Sequence, residues 1–190
     1  MKKLHYIIAI SLTALVLLSS CASSSQGGSA SRSGLPDIVR NARRNAPNDV
    51  LIGIGSASLA TQSQSRTVAE TRARAEISRV MDSMVQDMVR DYQASSEVSR
   101  NDALAFQENM TVSLSRSRLQ GAVIQDEDWI DGTYYVVVYL SKTNVVREIN
   151  QAQAAARLAV PAMASFNAED RMNAAFDREY ARELRVADRD

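Results

Sequence analysis

The spacing of apolar residues changes several times along the chain, and each change predicts a different element. Residues 50–55, VLIGIG, form a continuous apolar run of strand length, which predicts a buried strand. Over 68–92 apolar residues recur three or four positions apart, as on one face of a helix, and Ser63 or Ser65 is the expected N-cap. The pattern stops over 95–101, so we expect this long helix to break there.

A second helical spacing covers 102–119, and Gly121 suits a left-handed residue just after the helix end. The segment MTVSL inside it is also compatible with an extended chain. Residues 122–130 and 133–141 then flank Asp131-Gly132, a dipeptide that accepts the positive φ angles of a type I′ turn. We therefore expect two antiparallel strands joined as a β-hairpin.

The second strand of this hairpin and the region after it are rich in apolar residues. Over 134–140 both alternating sets are apolar, so this strand should be covered on both faces. Thr143 is the expected N-cap of an alanine-rich helix that Pro161 interrupts. A last charged helix is expected over 168–185, with an apolar stripe that must be buried somewhere: Met172, Phe176, Tyr180 and Leu184. Together the elements predict an α+β fold, a small sheet packed on helices.

The N-terminal residues 1–20 have the form of a signal peptide, in which Lys2 and Lys3 precede an apolar run too short to span a bilayer. The tetrapeptide LSSC that ends at Cys21 resembles the lipobox of bacterial lipoproteins. That resemblance implies a diacylglycerol on the Cys21 sulfur and an acyl chain on its amine, and Ala22 implies the outer membrane. The alternative is an ordinary secretory signal whose only cysteine falls at the cleavage site.

Composition predicts how the mature chain is divided. Small polar residues make 21–35 a flexible tether, 36–142 is expected to be the α+β module, and 143–190 a helical extension. Removal of Lys2 and Lys3 with the signal leaves two more acidic residues than basic ones. The mature chain therefore lacks the basic field expected of a nucleic-acid-binding protein.

Two residue types restrict the chemistry. Cys21 is the only cysteine, and its sulfur carries the expected lipid; the only histidine, His5, leaves with the signal. An intramolecular disulfide, thiol catalysis, histidine-based triads and histidine zinc sites are therefore excluded from the mature chain. We expect no cofactor beyond the covalent lipid, no metal and no catalytic residues.

Glycines and carboxylates provide weak candidate sites. Gly53 and Gly55 end a strand ahead of a helix, as in dinucleotide-binding loops, but Ser58 stands where the third glycine belongs. Close strand packing is the favoured explanation. Asp87 and Asp91 share one helical face, where an ordinary solvated surface is expected.

The turn of the hairpin is flanked by acidic residues, Asp126, Glu127, Asp128 and Asp131. Carboxylates of this density can bind calcium, yet their spacing matches no calcium loop. A solvated hairpin end is the favoured interpretation.

Arginines and aromatic residues provide two candidate surfaces. Arg40, Arg43 and Arg44 follow the tether and could contact lipid phosphates, each adding about 1 kcal/mol near an anionic surface; the alternative is a polar lead-in helix. The hairpin concentrates large aromatic residues, of which most are expected in the core and some in self-association. The residues assigned to self-association are Trp129, Tyr135 and Tyr139, with Tyr134 beside them.

Three segments together resemble a known family: VLIGIGSAS over 50–58, AETRARAEI over 69–77, and LQGAVIQDEDW over 119–129 leading into GTYYVVVYL. They are similar to the 20 kDa outer-membrane lipoprotein family first known from Helicobacter, including the flagellar basal-disk lipoprotein P group. The resemblance covers about 49–142. It implies an α+β module with a non-enzymatic role at the outer membrane and, for the flagellar relatives, a multimeric disk around the motor. It implies no catalytic residues.

Three hypotheses follow for the function. The first is a structural outer-membrane lipoprotein that faces the periplasm and self-assembles, in a flagellar disk or a simpler envelope role. The second is an accessory that presents the Trp129 hairpin or the Gly53 loop to peptidoglycan or to an envelope enzyme. The third is a hydrolase that works with carboxylates alone. The expected partners are the membrane, copies of the chain itself and flagellar or envelope proteins.

Overall fold

The computed structural model describes residues 35–117 and 119–187. The predicted signal peptide, Cys21 and residues 22–34 of the predicted tether lie outside the described residues. The elements follow one another in this order: α1 (Asp37–Asn45), β1 (Val50–Ala57), α2 (Gln62–Ala94), α3 (Arg100–Arg116), β2 (Val123–Ile130), β3 (Thr133–Ser141), α4 (Lys142–Ala159), a 3-10 turn (Pro161–Met163) and α5 (Glu169–Ala187). This is an α+β fold, as the sequence predicts.

The three strands form one antiparallel sheet in the order β1-β3-β2. Asp131 and Gly132 have φ angles of 47° and 78°, which confirms the predicted turn with two positive φ angles. β3 is the central strand, and this position explains its continuous apolar sequence. One face, with Val136 and Val138, packs on α2, while Val137 faces α1 on the other side. The strand is therefore covered on both faces by helices of its own chain.

The helices α2, α3 and α4 begin two to four residues earlier than the sequence suggests, whereas α5 begins within one residue of its predicted start. The side chains of Thr61 and Ser141 are the N-caps of α2 and α4, where they accept the N–H groups of Gln64 and Asn144. The predicted N-caps Ser63, Ser65 and Thr143 are wrong, because each of these residues lies inside the helix. Serine and threonine residues are frequent in both segments, so composition alone leaves several capping positions open.

Ser65 has a different role from the predicted one. It is fully buried; its hydroxyl donates to the Thr61 carbonyl and accepts the Leu59 N–H. The loop between β1 and α2 is therefore closed by a side chain within the first helical turn.

The break between α2 and α3 lies where the sequence predicts it, but the end of α3 does not. The MTVSL segment is helical, and α3 ends at Arg116, ahead of the predicted end at Leu119. The hydroxyl of Ser117 donates to the carboxylate of Glu148 on α4 and accepts the Leu119 N–H at 3.1 Å. This contact draws the chain out of the helix, so Gly121, with φ 85°, serves the following turn rather than the helix end.

A single main core joins the sheet to α2, α3, α4 and α5. Its largest fully buried side chains come from β3, from these four helices and from the segment between α4 and α5: Ile77, Met81, Met84, Met88, Phe106, Met110, Leu140, Ile149, Met163, Phe166, Met172 and Phe176. The helices after residue 143 thus contribute to the same core as the predicted module. A second, smaller cluster lies between α1 and the other face of the sheet: Ile38, Val39, Ala42, Ile52 and Val137.

The last helix, α5, packs against its own chain. Met172 and Phe176 of its predicted apolar stripe are buried and Tyr180 is half-buried; the side chain of Leu184 lies outside the described part. The stripe is therefore largely covered without a partner molecule.

Ion pairs stabilise the polar side of the contact between α5 and α2. Arg182 donates to Asp87 at 2.9 Å and Arg178 to Asp91 at 3.0 Å, across the interface between α5 and α2. Only 19% of the Asp87 side chain is exposed. The predicted solvated face at Asp87 and Asp91 is therefore wrong, because it is the surface on which α5 docks.

Candidate functional site

Gly53 and Gly55, the glycines of the GIG segment (residues 53–55), lie against the backbone of α2. A Cβ on Gly53 would come within 2.0 Å of the Ala73 carbonyl oxygen, and one on Gly55 within 1.9 Å of the Ala69 carbonyl oxygen. Side chains larger than hydrogen therefore cannot be accommodated at these two positions of β1. Ser58, at the position of the missing third glycine, donates to the Gly132 carbonyl at 2.8 Å. The glycines serve close packing of strand and helix, which was the favoured explanation.

The outer edge of β1 is capped by α2. The Ile54 N–H donates to the Glu76 carboxylate at 2.7 Å, and the Arg72 guanidinium donates to the Ser56 carbonyl at 2.5 Å. An edge strand normally offers such backbone groups to another strand. Here two of them are already bonded to side chains of the same chain.

The acidic cluster around the hairpin is divided between the two faces of the sheet. Glu127 faces α2 and forms a two-bond ion pair with Arg66, at 2.8 and 3.2 Å. Asp126 and Asp128 lie on the side of α1, and their carboxylates accept the N–H groups of the residues that follow them, at 2.9 and 2.7 Å. The carboxylates therefore cap the outer edge of β2. They do not converge on one point as calcium ligands would.

The three arginines of α1 have unequal surroundings. Arg40 is half-exposed and forms an ion pair with Asp37 one turn earlier, while Arg43 is half-buried and Arg44 is exposed. The other face of the helix, with Ile38 and Val39, is buried on the sheet. The segment is thus a polar lead-in helix, ahead of the first strand, and Asp37 places a negative charge on its basic side. Contact of the arginines with lipid remains a prediction.

The hairpin aromatics are partly buried within the chain. Trp129 packs against the main core with its ring 5.9 Å from that of Tyr134, which is buried. Tyr135 and Tyr139 are half-buried beside the second cluster. None of the three predicted self-association residues, Trp129, Tyr135 and Tyr139, is fully exposed.

An open groove of about 410 Å³ runs between α1 and β2 on the α1 side of the sheet. Its floor is formed by Ala42, Val137 and Tyr139. Its walls carry the polar side chains: Asn41 and Asn45 from α1, Gln125 and Asp126 from β2. Burial and, to a lesser degree, the charge of Asp126 raise the pKa of Tyr139, so its hydroxyl stays protonated and can donate.

Sequence reasoning missed most of this groove. The sequence pattern assigns Asp126 and Tyr139 to other features, and it does not single out Asn41, Asn45 or Gln125. The only feature of the sequence that points to the groove is the spacing of the two asparagines, which are four residues apart on one helix. Their alignment with β2 depends on how α1 crosses the sheet.

Two further cavities lie among the described residues. One, between α1, β1, α2 and α5, has a volume of about 20 Å³ and borders Arg43, Phe176 and Glu179; it has room for about one water. The other is a polar cleft of about 240 Å³ between α3 and α4, at Ser117 and Glu148. The Glu148 carboxylate there bonds Ser117 and lies 3.4 Å from Arg147, so it holds the two helices together.

Over 35–117 and 119–187, acidic, cysteine and histidine side chains nowhere gather in groups of three that could bind a metal ion. In the same part of the chain, every helix falls short of the length and apolar character needed to cross a bilayer. Comparison with family models, curated proteins and solved structures found no match to this chain. The resemblance to the 20 kDa outer-membrane lipoprotein family therefore stays a prediction.

Proposed function

We propose that this protein is a non-enzymatic lipoprotein, anchored in the outer membrane through Cys21, that self-assembles as a structural component of the envelope. The lipobox at Cys21 supports the anchor, and the resemblance over 49–142 supports a motility-associated structure such as a flagellar basal disk. The sequence suggests two surfaces for self-assembly, the apolar strand β3 and the apolar stripe of α5. In the structure α1 and α2 cover β3, and the α5 stripe is largely buried, so neither surface supports assembly. The support for assembly comes instead from the surface of α4.

The second half of α4 and the turn after it present exposed apolar side chains, here called the Leu158 patch. Leu158 is 86% exposed, the highest value among the exposed large apolar residues described. The small residues around it are also exposed: Ala154, Ala155, Ala159, Pro161 and Ala162. Between Gln151 and Asn167 the only charged residue is Arg157, and its guanidinium donates to the Phe166 carbonyl. The patch is therefore apolar, and its one charged side chain already has a hydrogen-bond partner. By contrast, 23% of the residues in the whole chain are charged.

This patch is the observation that carries the proposal. Apolar surface favours contact with another apolar surface, and alanines allow two helices to approach closely. The capped edges of β1 and β2 favour association through helices over addition of strands. A second copy of the chain brings the same patch, so a two-fold contact between α4 helices is self-complementary.

The experiment measures the size of a lipid-free form beginning at Leu35, by sedimentation velocity over a wide concentration range, and of the full lipidated chain on vesicles by crosslinking. We expect concentration-dependent oligomers that Leu158→Glu reduces. Val123→Glu is the matched control, since Val123 is a 62% exposed apolar residue on β2; it should leave association unchanged. A monomer at every concentration, with no crosslinks on vesicles, would contradict the proposal.

The second candidate, an accessory that binds the cell wall or an envelope enzyme, is favoured by one feature, the groove between α1 and β2. This candidate does not require self-assembly.

A further inference from the structure

The groove between α1 and β2 depends on an irregularity in β2. Ile124 pairs with Val138 and packs on the main core, whereas Asp126 pairs with Val137, which faces α1. Residues two apart in a regular strand share a face. The extra residue, Gln125, is thus a β-bulge that shifts the alternation and moves Asp126 to the side of α1.

Bulges interrupt the hydrogen-bond ladder, and they are enriched where a strand must redirect a side chain toward a binding site. Here the bulge places two consecutive polar residues, Gln125 and Asp126, along one wall of the groove. The opposite wall carries Asn41 and Asn45, both exposed and one helical turn apart. Two independent elements therefore direct polar side chains into the same space.

The chemistry of the lining is specific. Three carboxamides each offer a donor and an acceptor, the Tyr139 hydroxyl donates, and the Asp126 carboxylate accepts. Among the described residues that line the groove, none is basic, so an anionic ligand meets no counter-charge within the groove and is repelled by Asp126. A neutral ligand with many hydroxyl or amide groups matches this set.

The floor favours the same kind of ligand. Val137, Ala42 and the Tyr139 ring provide an apolar surface below the polar walls. Sugar rings have C–H faces and rims of hydroxyl groups, so they can contact such a floor while they bond the walls. The volume of about 410 Å³ is within the range of small-ligand sites, about 300–1,000 Å³.

We infer that the groove between α1 and β2 binds a neutral glycan, held by the carboxamides of Asn41, Asn45 and Gln125 and the carboxylate of Asp126 above the Tyr139 ring. This site goes beyond the proposed self-assembly and is distant in sequence from the Leu158 patch. Carbohydrate bearing acetamido groups, as in a cell-wall backbone, and carbohydrate with hydroxyls alone share the chemistry that the groove recognises.

The test titrates the full chain in detergent with chitotetraose, cellotetraose and a sulfated heparin tetrasaccharide, by isothermal calorimetry. We expect binding of at least one neutral tetrasaccharide and none of the sulfated one. Chitotetraose alone would assign recognition to the acetamido groups, and binding of both neutral sugars would assign it to the hydroxyls.

Variants separate this site from the rest of the surface. Asn45→Ala combined with Gln125→Ala should weaken neutral-glycan binding about tenfold, the loss expected when two hydrogen-bonding side chains are removed. Asn101→Ala, at an exposed asparagine on α3, is the matched control and should bind as the parent does. Leu158→Glu should also retain binding, so failure of self-assembly and failure of this inference are distinguishable. Absence of neutral-glycan binding, preference for the sulfated sugar, or parental affinity in the double variant would overturn it.

Discussion

Replacement of Gly55 by alanine adds one methyl group at a point of closest approach between β1 and α2. Its Cβ would lie 1.9 Å from the Ala69 carbonyl oxygen and 2.5 Å from the Ala73 amide nitrogen. Carbon and oxygen atoms that are not bonded approach to about 3.3 Å, so strand and helix must separate by roughly 1.4 Å. The φ angle of Gly55 is outside the left-handed region, and the cost is therefore steric.

Overpacking a core costs about 1–3 kcal/mol, and no rotamer change relieves a methyl group that meets backbone atoms. We expect Gly55→Ala to lower the free energy of unfolding by about 3 kcal/mol, equivalent to a fall in Tm of roughly 6–12 °C for a domain of this size. The measurement is thermal and urea unfolding of the form beginning at Leu35, followed by circular dichroism. Ser56→Ala, on the opposite face of β1, is the control and should change stability by less than about 0.5 kcal/mol.

A second substitution sharpens the test. Ala69→Gly added to Gly55→Ala should not restore stability, because the blocking atom is a carbonyl oxygen that glycine retains. If Gly55→Ala unfolded within about 0.5 kcal/mol of the parent, close packing would not be the reason for the glycine. A ligand-binding role for the GIG segment would then regain support.

Two other predictions concern charges on α2. Burial raises the pKa of Asp82, only partly offset by its hydrogen bond to Thr111, so the folded state favours the neutral carboxyl group. Asp82→Asn should therefore raise Tm at pH 7, and the difference should disappear as pH falls below the ordinary aspartate pKa of about 3.9; a variant less stable than the parent at pH 7 would refute this. For Asp87 and Arg182, a double-mutant cycle with alanine should give a coupling of about 0.2–1 kcal/mol that shrinks in 1 M NaCl; zero coupling at low salt would show that this ion pair does not help to hold α5 on α2.

The capped sheet edges limit how this protein can associate. On β1 the caps come from α2, through Glu76 and Arg72, and on β2 they come from the strand's own Asp126 and Asp128. The acidic hairpin sequence is therefore explained within the chain, as protection against strand addition. Association through the Leu158 patch is compatible with these caps.

Much of the fold was predictable because it depends on local patterns. Asp131-Gly132 needs two positive φ angles, and the spacing of apolar residues in α2 matches one face of a helix. The end of α3 was not predictable. It depends on the bond between Ser117 and Glu148, which are far apart in sequence and meet only when α3 packs on α4.

The groove was even less predictable from local sequence patterns than the end of α3. Val137 and Tyr139 are predictable as strand residues, but nothing in the local pattern reveals that Gln125 is a bulge. The side toward which Asp126 points depends on register with β3, and register is set by pairing across the sheet.

The sequence by itself determined the hairpin and the α+β class, and it is the basis for the predicted anchor at Cys21 and the predicted loss of histidine with the signal. These conclusions depend on residue identity or on neighbours within a few positions. Only the tertiary structure decided that α5 covers α2, that β1 and β2 have capped edges, and that a bulge forms one wall of a polar groove. Such features arise where distant segments meet, because the free energy of each contact depends on partners that local spacing does not specify.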